Sequence, residues 1–133
     1  MVRASLAVLL GGASLAASAA AADTAPAWKQ VFENSQTIYY VSAAVAGSTG
    51  QTDMETLQQF KAPEVFGGDQ IWSIVSRYKV DCAEDRIVTL DNAYYPRRMG
   101  AGAAVQALSA DDEWHTPEPG SLGELVWNTA CKR

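Results

Sequence analysis

One histidine, His115, and two cysteines, Cys82 and Cys131, are all the imidazole and thiol that 133 residues contain. Without a Cys-x-x-Cys pair or a second histidine, the chain lacks the ligands of the usual four-ligand zinc sites. Motifs for covalent or phosphate chemistry are missing too. Gly120-Ser121-Leu122-Gly123 does not have the Gly-x-Ser-x-Gly spacing of a nucleophile elbow, and Gly100-Ala101-Gly102 has neither a Lys-Ser/Thr nor a helix after it. Cations are scarce, ten against fifteen acidic residues for a net charge of −5. That balance argues against nucleic acid or an anionic membrane as partner, and solubility alone accounts for it. No repeat of roughly 20 to 50 residues appears, which removes solenoids and propellers. After residue 22 no run is apolar enough to span a bilayer.

What is present begins with an N-terminal export pattern. Met1-Val2-Arg3 carries one positive charge, and the stretch from Ala4 through Leu10 to Ala22 is uncharged and mostly apolar. A secretory signal peptide over residues 1–22 is the expectation, with Ala20-Ala21-Ala22 offering the small residues at which cleavage occurs, before Asp23. The remaining residues, 23–133, number 111, a size suited to a single domain with one core. Arg3 leaves with the signal, so nine basic against fifteen acidic residues give the mature chain −6. In an oxidising compartment two cysteines pair where geometry allows, so a Cys82–Cys131 disulfide across 49 residues is expected; two free thiols or a shared metal are the alternatives.

From Trp28 onward, short runs rich in β-branched and aromatic residues alternate with turn signals, the pattern of antiparallel strands joined by hairpins. Strands are predicted at Trp28–Phe32, with Trp28, Gln30 and Phe32 on one side, and at Thr37–Val41 after an Asn34-Ser35 turn. Ala43 to Gly50 has no clear period; Ala43–Ala46 reads as a helical turn or a strand extension. Met54, Leu57 and Phe60 recur every three residues, but residues 53–61 are taken as strand. Pro63 and Gly67-Gly68-Asp69 are expected to break the chain. Gln70–Cys82 comes next as a long strand, with Trp72, Ile74, Tyr78, Val80 and Cys82 on one face. Ser73, Arg77, Lys79 and Asp81 lie on the other beside Ile71 and Val75. Arg86–Tyr95 reads as its hairpin partner, Pro96–Gly102 as a turn or flexible tip, and Ala103–Leu108 as a last strand.

Near the C-terminus Ser121 and Glu124 form a capping box, each side chain placed to accept from a free backbone N–H of the first turn. A helix is predicted from Ser121 to about Ala130, with Leu122, Leu125, Val126 and Thr129 as its buried stripe. Cys131 lies off the centre of that stripe, so the helix must end or roll for the sulfur to reach Cys82.

Few residues invite chemistry. His115, with Asp111, Asp112, Glu113 and Glu118 near it in sequence, has the pKa range of a general acid or base, but equally that of a surface loop histidine. Asp111-Asp112-Glu113 offers carboxylates to calcium without the spaced ligands and turn glycine of an EF-hand loop, and reads as a solvated acidic loop. Arg97 and Arg98, at a hairpin tip, could grip carboxylates or phosphorylated and sulfated groups bidentately, or merely be solvated. In the doublets Tyr39-Tyr40 and Tyr94-Tyr95 one ring of each points outward, and outward tyrosines suit an interface. Arg97, Arg98 and Tyr95 are accordingly the candidate partner-binding residues; no catalytic residue, metal or cofactor is expected.

Taken together, Trp28, the run Thr37-Ile38-Tyr39-Tyr40-Val41, Tyr78-Lys79-Val80-Asp81-Cys82, Tyr94-Tyr95, Trp114, Pro119-Gly120-Ser121 and Cys131 resemble the surface-adhesin protein E family of Gram-negative bacteria. The resemblance implies an antiparallel sheet of about six strands with a C-terminal helix on one face, tied to it by a disulfide, here Cys82 to Cys131. It implies no catalytic activity: the best-known members bind host extracellular-matrix and serum proteins, and a homodimer is among their arrangements. No lipobox cysteine stands near the cleavage region, so a soluble periplasmic or released protein is expected rather than an anchored one. The fold expectation is therefore α+β, an antiparallel sheet of about five to six strands and a disulfide-linked helix. The functional expectation is an exported binding protein with a protein partner, either host or envelope. The alternative is a periplasmic inhibitor that plugs a cell-wall hydrolase with the Pro96–Gly102 loop.

Overall fold

A computed structural model of the chain describes residues 11–12, 27–47, 50–110 and 113–132. The signal peptide expected over 1–22 lies, apart from Gly11 and Gly12, outside the described residues, as do Asp111 and Asp112 of the acidic loop. Among the described residues seven strands, β1 (Lys29–Glu33), β2 (Thr37–Val41), β3 (Val45–Ala46), β4 (Thr52–Phe66), β5 (Asp69–Asp81), β6 (Arg86–Tyr95) and β7 (Gln106–Ser109), precede one α-helix, α1 (Leu122–Cys131), with a single 3-10 turn at Arg98–Gly100 between β6 and β7. All strand pairings are antiparallel, in the order β1-β2-β4-β5-β6-β7, and the two-residue β3 lies beside β4 in line with β2. Six strands on the main path match the expected five to six, and β3 adds a seventh.

Bulges decide which face each side chain reaches. Between Gln30 and Phe32 the β1–β2 register slips, so Gln30 faces with Tyr40 and Phe32 with Tyr39. The expectation that Trp28, Gln30 and Phe32 share one side fails there, because one extra residue reverses the alternation. Strand β4 runs well past Pro63: between Gln59 and Glu64 it bulges opposite Trp72, and Pro63 sits within the bulge, where its missing N–H removes no ladder bond. Gly67 and Gly68, both at positive φ (57° and 86°), then close a two-residue hairpin between Phe66 and Asp69.

Two hydrophobic clusters result. Beneath α1, Val41, Met54, Tyr78, Val80, Ile87 and Val126 form the larger one. The smaller gathers Phe60, Ile71 and Ile74 with Phe66 and Tyr94, because the bulge bends the β4–β5 hairpin back until Phe66 stacks on Phe60 and meets Tyr94. The Gln106 amide fastens the bent tip, donating to the Phe66 carbonyl at 2.9 Å and to Asp69 Oδ2 at 3.2 Å.

Ser121 caps α1 as predicted, its hydroxyl accepting from Glu124 N–H at 3.1 Å. Glu124 does not close the box on Ser121: its carboxylate reaches Gly120 N–H, and Ser121 N–H donates to the Glu118 carbonyl instead. The buried stripe is also rotated from the predicted one. Val126 is fully buried, and Trp127, Ala130 and Cys131 pack on the same cluster. Leu122, Leu125 and Thr129 are half buried like those three but do not belong to that cluster. That roll brings Cys131, still within the helix, to Cys82: the disulfide forms, with Cα atoms 5.6 Å apart.

Candidate partner-binding face

Helix α1 covers one face of the sheet and leaves the other open. In the central strands that open face is built from Glu55, Leu57 and Gln59 of β4, Ser73, Val75, Arg77 and Lys79 of β5, and Asp91, Ala93 and Tyr95 of β6, matched across the strands by their register. Period-2 alternation puts them there. β6 keeps step with β5 from Tyr95 to Asp91 and then slips by one residue, at Leu90.

The segment after β6 folds back over one end of this face. Ser73 Oγ donates to the Arg97 carbonyl at 2.7 Å and accepts from Gly100 N–H at 2.9 Å, while Gln59 Oε1 accepts from Met99 N–H at 2.7 Å. The close approach requires glycine at 100. Its φ is 65°, and a Cβ there would stand 3.0 Å from a Val75 methyl and 3.4 Å from one of Leu57. Met99 also has positive φ (57°), and Arg98 lays its guanidinium 4.1 Å from the centre of the Trp72 ring. The segment read as a turn or flexible tip is thus fastened to β4 and β5, and it walls one end of the open face.

Beside that wall lie two clefts. One, of about 670 Å³, has Met99, Gly100 and Ala101 as its wall, Val75 and Ala93 on its floor, and Trp28 and Tyr95 among its lining residues. The second, of about 680 Å³, continues past Asp53, Met54, Lys79, Leu90 and Val45. They meet at Glu55 and Arg77, which line both. The lining is largely apolar, with charge concentrated in a few groups. Arg77 Nε donates to Asp91 Oδ1 at 2.9 Å and its Nη2 donates to Oδ2, a bidentate pair. The hydrogen bond from Arg77 lowers the Asp91 pKa, and the same bond raises that of Arg77. Lys79 Nζ lies 3.6 Å from Asp53 Oδ1.

Of the residues singled out from sequence, Tyr95 lines the open-face cleft. Arg97 and Arg98 are exposed on the wall segment beside it and do not line the clefts. Tyr40 faces the open side with Leu57, whereas Tyr39 meets Phe32 on the helix side and Tyr94 packs on Phe66. His115 is exposed, bridged through its backbone to Ile87, with Nδ1 3.3 Å from the Glu113 carbonyl. Its neighbour Trp114 carries the Arg86 guanidinium 4.7 Å from the ring centre. Sequence reasoning missed Trp28, Glu55 and Asp91 as members of the site. The signal was present in part, since alternation along β5 put Arg77 and Lys79 together on the face opposite Tyr78 and Val80. What was lacking was the register that sets Glu55 and Asp91 on either side of Arg77.

Among the described residues no helix is long and apolar enough to cross a membrane. No curated protein and no solved structure matches the chain. The model of one family, described as surface-adhesin protein E, matches residues 28–132. That match spans every strand, the helix and both cysteines, and the chain belongs to the surface-adhesin protein E family.

Proposed function

We propose that this chain is a non-enzymatic binding domain, periplasmic or extracellular, whose open face holds a protein partner from the host or the envelope. The family and the disulfide together point to an exported protein. The observation that carries the reading is the asymmetry of the sheet. One face is closed by α1, while the opposite face keeps two joined clefts with Trp28 and Tyr95 in their lining. Concave, mostly apolar surface with a few fixed polar groups and aromatic rings is the ground on which partners are held. Arg97 and Arg98 stand exposed at its rim, where their forks can meet carboxylate, sulfate or phosphate groups of the same partner.

The test is surface plasmon resonance with the exported chain immobilised, and with purified extracellular-matrix proteins and fractionated envelope proteins as analytes. Tyr95→Ser and Trp28→Ala should weaken a bound analyte at least about tenfold, Arg97→Ala with Arg98→Ala several-fold, and Leu122→Ala on the helix side hardly at all. If no analyte is retained, or if the open-face variants bind like the parent, the reading fails. Cell fractionation followed by blotting distinguishes periplasm from medium.

A further inference from the structure

Across the middle of the open face, Glu55, Arg77 and Asp91 stand in one cross-strand row on β4, β5 and β6, two carboxylates to one guanidinium. Arg77 commits its fork to Asp91. Lys79 is held by Asp53. Among the described residues Glu55 makes no salt bridge, although it lies within the field of Arg77. The charged residues lining the joined clefts are Asp53, Glu55 and Asp91 against Arg77 and Lys79, which leaves one negative charge in excess. Trp28 and Tyr95 line the same cleft as Glu55, and an aromatic face attracts a cation that a neighbouring carboxylate also attracts. The row is one cation short.

We propose that the open face takes a basic segment of its partner protein: an extended stretch enters the clefts, and one of its lysine or arginine side chains lies beside Trp28 and Tyr95 and pairs with Glu55. This rests on the reading of the open face as the partner-binding surface and adds the chemistry of the occupant. Charge complementarity selects it. An acidic segment inside the clefts would meet the excess carboxylate, Arg97 and Arg98 standing outside them on the wall, and a second copy of the mature chain would bring a surface of net −6. The chain's own preceding residues, Asp23-Thr24-Ala25-Pro26, carry no cation to offer. Because the two clefts join at Glu55 and Arg77, the trough continues beyond one side chain and suits an extended stretch.

The experiment uses the exported chain, labelled with nitrogen-15. It is titrated with an acetylated heptapeptide alternating glycine and lysine, and with its glutamine and glutamate counterparts. The lysine peptide should give saturable shifts at the Trp28 indole and at the Glu55 and Tyr95 amides, with binding at least about tenfold tighter than the glutamine peptide. Glu55→Gln, near-isosteric and half exposed, should weaken the lysine peptide about fivefold with an unchanged circular dichroism spectrum. Equal binding of lysine and glutamine peptides, or a Glu55→Gln protein that binds like the parent, overturns the proposal. Matrix or envelope binding lost in Trp28→Ala and Tyr95→Ser but untouched in Glu55→Gln leaves the face standing and removes the basic segment. Binding untouched in all three removes both.

Discussion

Ser73 holds Gly100: a single hydroxyl in the middle of β5 accepts from the Gly100 N–H at 2.9 Å and, through its own proton, also grips the Arg97 carbonyl. One fully buried side chain thereby fastens both ends of the segment that walls the open-face cleft. The wall is as rigid as that anchor, which links a strand position to the shape of the binding surface.

Ser73→Ala leaves a backbone donor and a backbone acceptor without their partner, a loss of about 1–3 kcal/mol. Urea unfolding should show a lower midpoint at unchanged slope, and amide exchange at Met99 and Gly100 should accelerate ahead of the sheet.

Gly100 and Gly120 separate backbone strain from steric contact. Both have positive φ, 65° and 75°, but only Gly100 has neighbours where a Cβ would go. Gly120→Ala should cost about 1 kcal/mol from its left-handed backbone alone. Gly100→Ala should cost about 1–2 kcal/mol more, since the Val75 and Leu57 methyls must give way. Equal losses in thermal unfolding would show that the segment yields freely.

The roll of α1 is testable by comparing Val126, which the expected and the observed stripes share, with Leu122, which only the expected one holds. Val126→Ala, at a fully buried site, should destabilise by about 2 kcal/mol, whereas Leu122→Ala, at a half-buried site, should cost less than about 1 kcal/mol. Chemical denaturation of the two variants reads this directly, and the reverse order would restore the stripe expected from sequence.

Reduction of the Cys82–Cys131 bond opens a 49-residue loop. Up to about 4 kcal/mol should be lost by the chain-entropy argument. The Cys82→Ser, Cys131→Ser double variant should show the same loss without reductant, with α1 amides exchanging fastest, because the sulfur bond pins the last turn of the helix.

Asp91 gives the acid limb of stability a definite sign. Its pKa is lowered in the folded state by the hydrogen bond from Arg77, so the pair's contribution is complete above the ordinary carboxylate value of 3.8. It fades as the pH falls from there through the lowered folded value. Both side chains are partly solvated, so the amount is about 0.5 kcal/mol. Denaturation midpoints measured from about pH 6 to about pH 2 should fall less steeply for Asp91→Asn than for the parent.

Local chemistry in the chain was enough to specify most strands and the capped helix, and it made the cysteine pair the expectation. The two-residue turn needs Gly67-Gly68, Ser121 can cap only a helix that starts immediately after it, and alternating apolar residues on β5 can only be half of a sheet. Position on a face was a different matter. A period-2 pattern holds its sense only until a bulge, and the extra residues near Val31, around Pro63 and at Leu90 reverse or bend the strands in ways that pairing alone reveals. Composition suggested freedom at Pro96–Gly102, yet buried Ser73 and Gln59 meet its backbone there. Tertiary structure also chose the buried side of α1, because the fixed reach of a disulfide and the shape of the cluster under Val126 outweighed the helix's own apolar stripe. The joined clefts belong to that second kind of information: Trp28, Glu55, Arg77 and Asp91 come from four separate segments, and strand register sets the last three in one row.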